Sequence, residues 1–104
     1  MRGLSGKVGI VAGGGRGIGA ATAILFAREG AKVMLSDMNE AAGKKIEQQI
    51  CSMGNAALFV SCNIAKKEDV RQLIVKTIET FGRIDCAANC AGIAGRHTAL
   101  LHEY

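Results

Sequence analysis

Between Gly13 and Gly19 the chain reads GGGRGIG, directly behind the apolar run KVGIVA and ahead of AATAILFARE. Glycine loses more backbone freedom on folding than any other residue, so a run this dense implies that something must come close to the main chain. A strand that hands its chain into a helix through glycines suits an anion. The first turn of the helix leaves amide N–H groups unpaired and carries the positive end of the helix dipole. Glycines at 13, 17 and 19 have the spacing GxxxGxG. In that phasing Gly13 makes the turn out of the strand, Gly17 lets a diphosphate approach the backbone, and Gly19 lets the helix lie close to the sheet. The same run contains GxGxxA from Gly15 to Ala20, so the glycines alone leave the register open. A P-loop is excluded, because no Lys-Ser or Lys-Thr pair follows.

Asp37 ends the next apolar run, eighteen residues after Gly19. That is close to the ~20 at which a dinucleotide fold carries the acid for an adenosine ribose. A carboxylate there accepts from both ribose hydroxyls and repels a 2′-phosphate; alternatively, Asp37 caps the helix that follows. Arg16 pulls the other way, since a guanidinium in the loop can pair with a phosphate, including a 2′-phosphate. Asp37 favours NAD over NADP as the cofactor. Cys86, Cys90, His97 and His102 are potential zinc ligands, but their spacing C-x3-C-x6-H-x4-H has a shorter central gap than the finger pattern. No metal is expected, and the four cysteines, none in a CxxC pair, read as small buried hydrophobes.

These residues must be positioned by strands and helices in alternation. Lys7–Ala12 reads as the first strand, and from Gly17 good helix formers run to a stop at Gly30. Lys32–Ser36 is the second strand, Glu40 to about Met53 the second helix, and Ala56–Ser61 the third strand. In the third helix Val70, Leu73, Ile74, Thr77, Ile78 and Phe81 follow the i, i+3, i+4, i+7 spacing, and Gly82 ends it. Its opening is weak, because Ala65 has no side-chain oxygen to cap the first amides. Ile84–Ala88 is the fourth strand, and NCAGIAG reads as loop. Strands alternating with helices imply an α/β fold: a doubly wound parallel sheet with right-handed crossovers, in a single domain over residues 1–104. Apolar strands without clean alternation fit burial on both faces.

Composition removes other classes. The chain is 49% hydrophobic and 21% charged, with a net charge of +4 spread along its length rather than gathered in a patch. Its aromatic residues are Phe26, Phe59, Phe81 and Tyr104, too few to form stacking platforms, so no nucleic acid is expected. No run reaches the ~20 apolar residues that span a bilayer, so no membrane partner is expected. The N-terminal apolar run flows into the glycine loop without a small-residue cleavage pattern, and a cytoplasmic location is expected.

Taken in order, these motifs resemble the short-chain dehydrogenase/reductase family in its Rossmann-fold form, from about Leu4 to Gly95. AGGGRGIG at 12–19 resembles the family's TGxxxGIG, and CNI at 62–64 resembles an x-Asp-Val/Ile element that borders the adenine. GRID at 82–85 with ANCAG at 88–92 resembles G-x-[IL]-D…NNAG. The resemblance implies strand order 3-2-1-4 and a nicotinamide dinucleotide as cofactor. It implies that Gly13, Gly17, Ile18 and Gly19 bind the diphosphate side, Asp37 the adenosine ribose, and Asn63 and Ile64 the adenine. Asn89, Ala91 and Gly92 would pass near the ribose on the way to the nicotinamide, and Asn89 equally would tie the fourth strand to its neighbours. Three residues depart from the family pattern. Ala12 stands for the usual Thr, Asn63 for the usual Asp, and Cys90 for the second Asn of NNAG. In this reading the Asn63 carbonyl still accepts from an adenine amine, without the charge.

The family's chemistry uses a Tyr-x-x-x-Lys pair, an upstream Ser and a supporting Asn, with the tyrosine as general acid/base and the cofactor exchanging hydride. Here the tyrosine is Tyr104, the last residue, and Ser5, Ser36, Ser52 and Ser61 all precede the region concerned. No catalytic residue is assigned. The expectation is the NAD(P)-binding portion of a short-chain dehydrogenase/reductase, truncated and inactive alone. Hydride transfer with an alcohol or ketone, and a small-molecule substrate, would belong to a full-length form. The fourth strand is expected to be an unprotected edge that lowers stability and invites self-association. An alternative is a non-catalytic interaction module that pairs through that edge with a full-length relative.

Overall fold

The computed structural model describes residues 3–13, 15, 17–90 and 99–101, the last three by backbone alone. The apolar run VGIVA forms β1 (Val8–Ala12), every residue of it buried, as a strand covered on both faces requires. α1 (Gly17–Arg28) follows and buries Gly19, Ala23 and Ala27, a stripe of small residues that brings its backbone close to the sheet. β2 (Lys32–Asp37) leads to α2 (Glu40–Ser52), β3 (Ala57–Ser61), α3 (Lys67–Phe81) and β4 (Cys86–Asn89). These bounds differ from those expected from sequence by a residue or two at most ends, where fraying and caps decide.

The helix ends follow local chemistry. Asn39 caps α2, its Oδ1 accepting the Ala42 N–H at 3.0 Å. α3 opens at Lys66 with no side-chain cap, in keeping with its weak N-terminal signal. It closes on Gly82 at φ 84°, whose N–H donates to the Ile78 carbonyl at 2.8 Å.

The sheet runs in the order β3-β2-β1-β4, all four strands parallel, with Gly9 beside Val33 and Cys86. The chain steps outward from β1 to β3 and then returns to the other side of β1, so the strand order reverses between β1 and β4. In open α/β sheets ligands sit at the carboxyl ends of the strands beside that reversal. α1 and α2 cover one face, with Val11, Val33 and Leu35 against Ala23, Ala27, Ile46 and Ile50. α3 covers the other, with Ile10, Met34 and Ala87 against Leu73. The alternation Ile10/Val11 and Met34/Leu35 between the two cores is the two-residue period of a strand buried on both sides.

One expectation is corrected. β4 is not the edge: β5 (Ala99–Leu101) pairs with it antiparallel, with Asn89 opposite Ala99 and Ala87 opposite Leu101. Three residues are too short a run for any periodicity to show, so the strand pattern in the sequence stops at the preceding loop. The self-association surface and the interaction-module alternative both relied on the free edge of β4. That edge is occupied, and neither is supported.

Candidate functional site

The sheet continues one residue past β1 on each side. The Ala12 carbonyl accepts the Cys90 N–H at 2.8 Å, and the Gly13 N–H donates to the Ser36 carbonyl at 2.7 Å. The glycine loop therefore leaves from a fixed point. Gly13 sits at φ 78° and Gly17 at φ 56°, left-handed angles that a side chain disfavours. The chain exits the strand at Gly13 and enters the helix at Gly17, which is the GxxxGxG phasing. Among the described residues, apart from its chain neighbours and its own helix, nothing lies within 4 Å of a Cβ built on Gly17, and Ile18 beside it is 56% exposed. The first amides of a helix and the positive end of its dipole favour an anion at such an opening.

Asp37, half-buried at the end of β2, is held by two amides. Its Oδ2 accepts the Gly15 N–H at 3.0 Å and its Oδ1 accepts the Asn39 N–H at 2.8 Å. It does not cap α2; Asn39 does. Each carboxylate oxygen has lone pairs to spare for further donors. In the sequence Gly15 is marked only by the alternative phasing, yet it is buried against this acid. A Cβ there would lie 2.9 Å from Asp37 Oδ2 and 2.9 Å from the Gly43 nitrogen. No local pattern signals this contact, since it joins a loop to the following strand and helix.

The segment carrying Asn63 and Ile64 leaves β3 beside Asp37. Ser61 is the register partner of Asp37, and the Cys62 N–H points to the Asp37 carbonyl at 3.4 Å. Asn63 then anchors a turn: its Oδ1 accepts the Ala65 N–H at 3.0 Å, and its carbonyl accepts the Lys66 N–H at 2.9 Å. Its own N–H donates to Asp69 Oδ2 at 2.9 Å. Ile64 lines, with Ile10, Ala12, Leu73 and Asn89, a cavity of about 150 Å³ between α3 and the carboxyl ends of β1 and β4. Asn89 is the register partner of Ala12, across the point where the strand order reverses. Gly13, Gly17, Ile18, Gly19, Asp37, Asn63, Ile64 and Asn89 thus all lie at the carboxyl edge of the sheet. Arg16, Ala91 and Gly92 lie outside the described residues, as do His97 and His102.

Two cysteines are weakened as nucleophiles by burial: Cys62, beside this edge, and Cys86, at the amino end of β4. Burial pushes the Cys62 thiol up, the Ser36 hydroxyl opposing and the Asp69 carboxylate adding to the rise. Burial also pushes the Cys86 thiol up, with Asp85 adding to it. The Ser36 hydroxyl is fully buried and finds no conventional hydrogen-bond partner among the described residues; the neighbouring Cys62 sulfur offers only the weak interaction of a thiol.

An open helix N-terminus, a carboxylate one strand away and an apolar wall beyond it suit a ligand carrying an anion, a diol and a flat apolar group. A family model described as enoyl-(acyl carrier protein) reductase matches residues 12–104. An "uncharacterized oxidoreductase" of Thermotoga maritima is 47% identical over 90 residues, covering 86% of this chain and 35% of the relative. L-fucose dehydrogenase of Bos taurus is 44% identical over 88 residues, covering 85% of this chain and 31% of the relative. The chain spans about a third of the length of the curated relatives it matches. Among solved structures, a hydroxysteroid dehydrogenase from Escherichia coli superposes with a TM-score of 0.81 at 35% identity, covering 83% of this chain and 37% of that one. A short-chain dehydrogenase/reductase from Burkholderia phymatum, solved in complex with NAD, gives 0.77 at 28% identity, covering 81% and 30%. Motifs, strand order and relatives converge, and the chain belongs to the short-chain dehydrogenase/reductase family.

Proposed function

We propose that this chain binds NAD(H) at the carboxyl edge of its sheet and forms the cofactor-binding part of an oxidoreductase that acts on an alcohol or ketone. The observation that carries the reading is Asp37, held by the Gly15 and Asn39 amides one strand away from the clear opening of α1. The residues present fit the cofactor. Amides from Gly17 to Gly19 and the α1 dipole take the diphosphate, and the turn at Gly13 keeps the loop clear of it. Asp37 takes the ribose hydroxyls and disfavours a 2′-phosphate, which sets NAD ahead of NADP. Asn63 and Ile64 border the adenine. Asn89, with Ala91 and Gly92, leads toward the nicotinamide, and Arg16 supplies a positive charge near the phosphates.

When bound, the nicotinamide supplies hydride exchange with a carbonyl or alcohol carbon. The chain's own residues bind and orient: the glycine loop fixes the phosphates, and the carboxylate fixes the sugar. Proton transfer to or from the substrate oxygen is assigned to no residue of this chain.

Calorimetric titration tests the reading. NAD+ is expected to bind saturably at one site per chain, and NADP+ at least tenfold more weakly, because a dianionic phosphate would face the Asp37 carboxylate. A folded sample that takes up neither dinucleotide overturns the proposal.

A further inference from the structure

β3 ends the sheet on the side away from β4 and β5. The backbone groups of successive strand residues point to opposite sides. The Ala56 carbonyl accepts the Val33 N–H, and the Cys62 N–H turns to the Asp37 carbonyl, so the even-numbered residues face β2. Ala57, Phe59 and Ser61 therefore aim their N–H and C=O groups outward, where no strand follows among the described residues. Such an edge is a template for another strand. The segment AALFVSC, from Ala56 to Cys62, carries no charge and no proline, the composition that pairs most readily.

Two side chains of α2 reach this edge. Glu47, half-buried, accepts the Phe59 N–H on Oε2 at 2.8 Å. Cys51, one turn further along the helix, directs its thiol to the Ala57 carbonyl at 3.7 Å, the weaker contact of a sulfur donor. Phe59 is the middle of the three outward residues. An antiparallel second copy centred there sets Phe59 opposite Phe59 and Ala57 opposite Ser61, each pair exchanging two hydrogen bonds about a two-fold axis. The strand is thus complementary to itself, and Glu47 occupies the N–H beside that axis. We infer that Glu47 is a guard on the β3 edge: by holding the Phe59 N–H it keeps a second copy of this chain from extending the sheet as a two-fold antiparallel pair of β3 strands. The inference stands apart from the dinucleotide reading, since no bound ligand enters it.

Sedimentation velocity on the full chain tests it, with a reductant present because Cys51 is an exposed free thiol. The unsubstituted chain is expected to sediment as a monomer. Glu47→Ala is expected to form a reversible dimer, its association tightened by about tenfold or more, the weight of a hydrogen bond to a charged acceptor. Glu47→Gln keeps an oxygen for the Phe59 N–H and is expected to stay monomeric. Amide exchange locates the contact: in Glu47→Ala the Phe59 amide is expected to slow as concentration rises, because the second copy replaces the carboxylate. A folded Glu47→Ala that remains monomeric overturns the inference. So does a dimer whose Phe59 exchange ignores concentration, since its contact lies elsewhere, and so does a Glu47→Gln that pairs as tightly as the alanine variant. Where Glu47→Ala does not fold, the unsubstituted chain decides. Its Phe59 amide is expected to exchange about tenfold or more slowly than in an unstructured peptide, at a rate independent of concentration. An unprotected Phe59 amide, or a parent chain that already pairs through it, overturns the guard.

Discussion

The Gly15 N–H donates to Asp37 Oδ2 at 3.0 Å across twenty-two residues of sequence. This bond ties the glycine loop to the end of β2, and through the Asn39 N–H on Oδ1 it reaches the opening of α2. The acid expected to read a ribose therefore also sets the shape of the loop expected to hold the phosphates. One residue couples the two halves of the site.

Replacing Asp37 by Ala removes both functions. Affinity for NAD+ is expected to fall about tenfold or more, as hydrogen bonds to a charged acceptor are lost. Amide exchange at Gly15 and Asn39 is expected to accelerate, since both N–H groups lose their acceptor. Calorimetry reads the first and native-state hydrogen exchange the second. Weakened binding with unchanged exchange would show that the carboxylate does not organise the loop.

Gly15→Ala places a Cβ 2.9 Å from Asp37 Oδ2 and from the Gly43 nitrogen, closer than packed atoms approach. Backbone must shift, and a loss of about 1–3 kcal/mol is expected in urea denaturation. Ala at Gly17 meets no clash with the described residues beyond its own helix and chain neighbours, and is resisted there by its φ of 56°. The Gly15 variant is therefore expected to be the less stable of the two.

Gly43 in α2 supports the ring of Phe59 in β3, and a Cβ at Gly43 would overlap that ring. Gly43→Ala is expected to destabilise by about 1–3 kcal/mol despite the better helix propensity of alanine. Phe59→Leu in the same chain relieves the overlap, and a double-mutant cycle is expected to show a coupling of about 0.5 kcal/mol or more. Additive effects would place the cost elsewhere.

Asp85 clamps the start of β1. Its Oδ2 accepts the Val8 N–H at 2.8 Å, and its own N–H donates to the Val8 carbonyl at 2.9 Å. The hydrogen bond from Arg83, at 2.7 Å, holds the carboxyl below its ordinary range against the opposing effect of burial, helped by the Val8 amide and the charges of Arg83 and Lys7. A folded-state pKa below the unfolded value stabilises above the unfolded value of ~3.9, and this contribution is lost as pH falls through the folded value. Asp85→Asn is expected to be less stable at pH 7, with the difference shrinking as pH falls below about 4. Denaturation midpoints from pH 7 to 3 check this; a constant difference would remove Asp85 from the acid response.

Ser36→Ala deletes a buried hydroxyl that has no conventional partner among the described residues. Stability is expected to stay unchanged or to rise by up to about 1 kcal/mol, because an unsatisfied buried group costs free energy. A loss larger than that in thermal denaturation would reveal a bond from Ser36 that outweighs the weak thiol contact.

Much of the scaffold is legible in the sequence. The apolar runs leading into Gly13 and around Val33, the helical spacing from Val70 to Phe81 and the stop at Gly82 all report local geometry, and β1, β2, α3 and its cap stand where they indicate. The position of Asp37 at the end of β2, behind the glycine loop, is legible for the same reason. The role of Asn39 as the α2 cap does not separate from that of Asp37 in sequence, because both are good capping residues two positions apart.

The sequence alone determined the alternation of strand and helix and the placing of the glycine loop and Asp37 at strand ends, because each is written in residues a few positions apart. Tertiary structure alone decided the rest. Gly15 meets Asp37 from twenty-two residues away and Val8 meets Asp85 from seventy-seven. β5 closes the edge of β4 with three residues. Such contacts depend on which segments the sheet brings side by side, and hydrogen bonds between distant segments leave no period in the chain to be read.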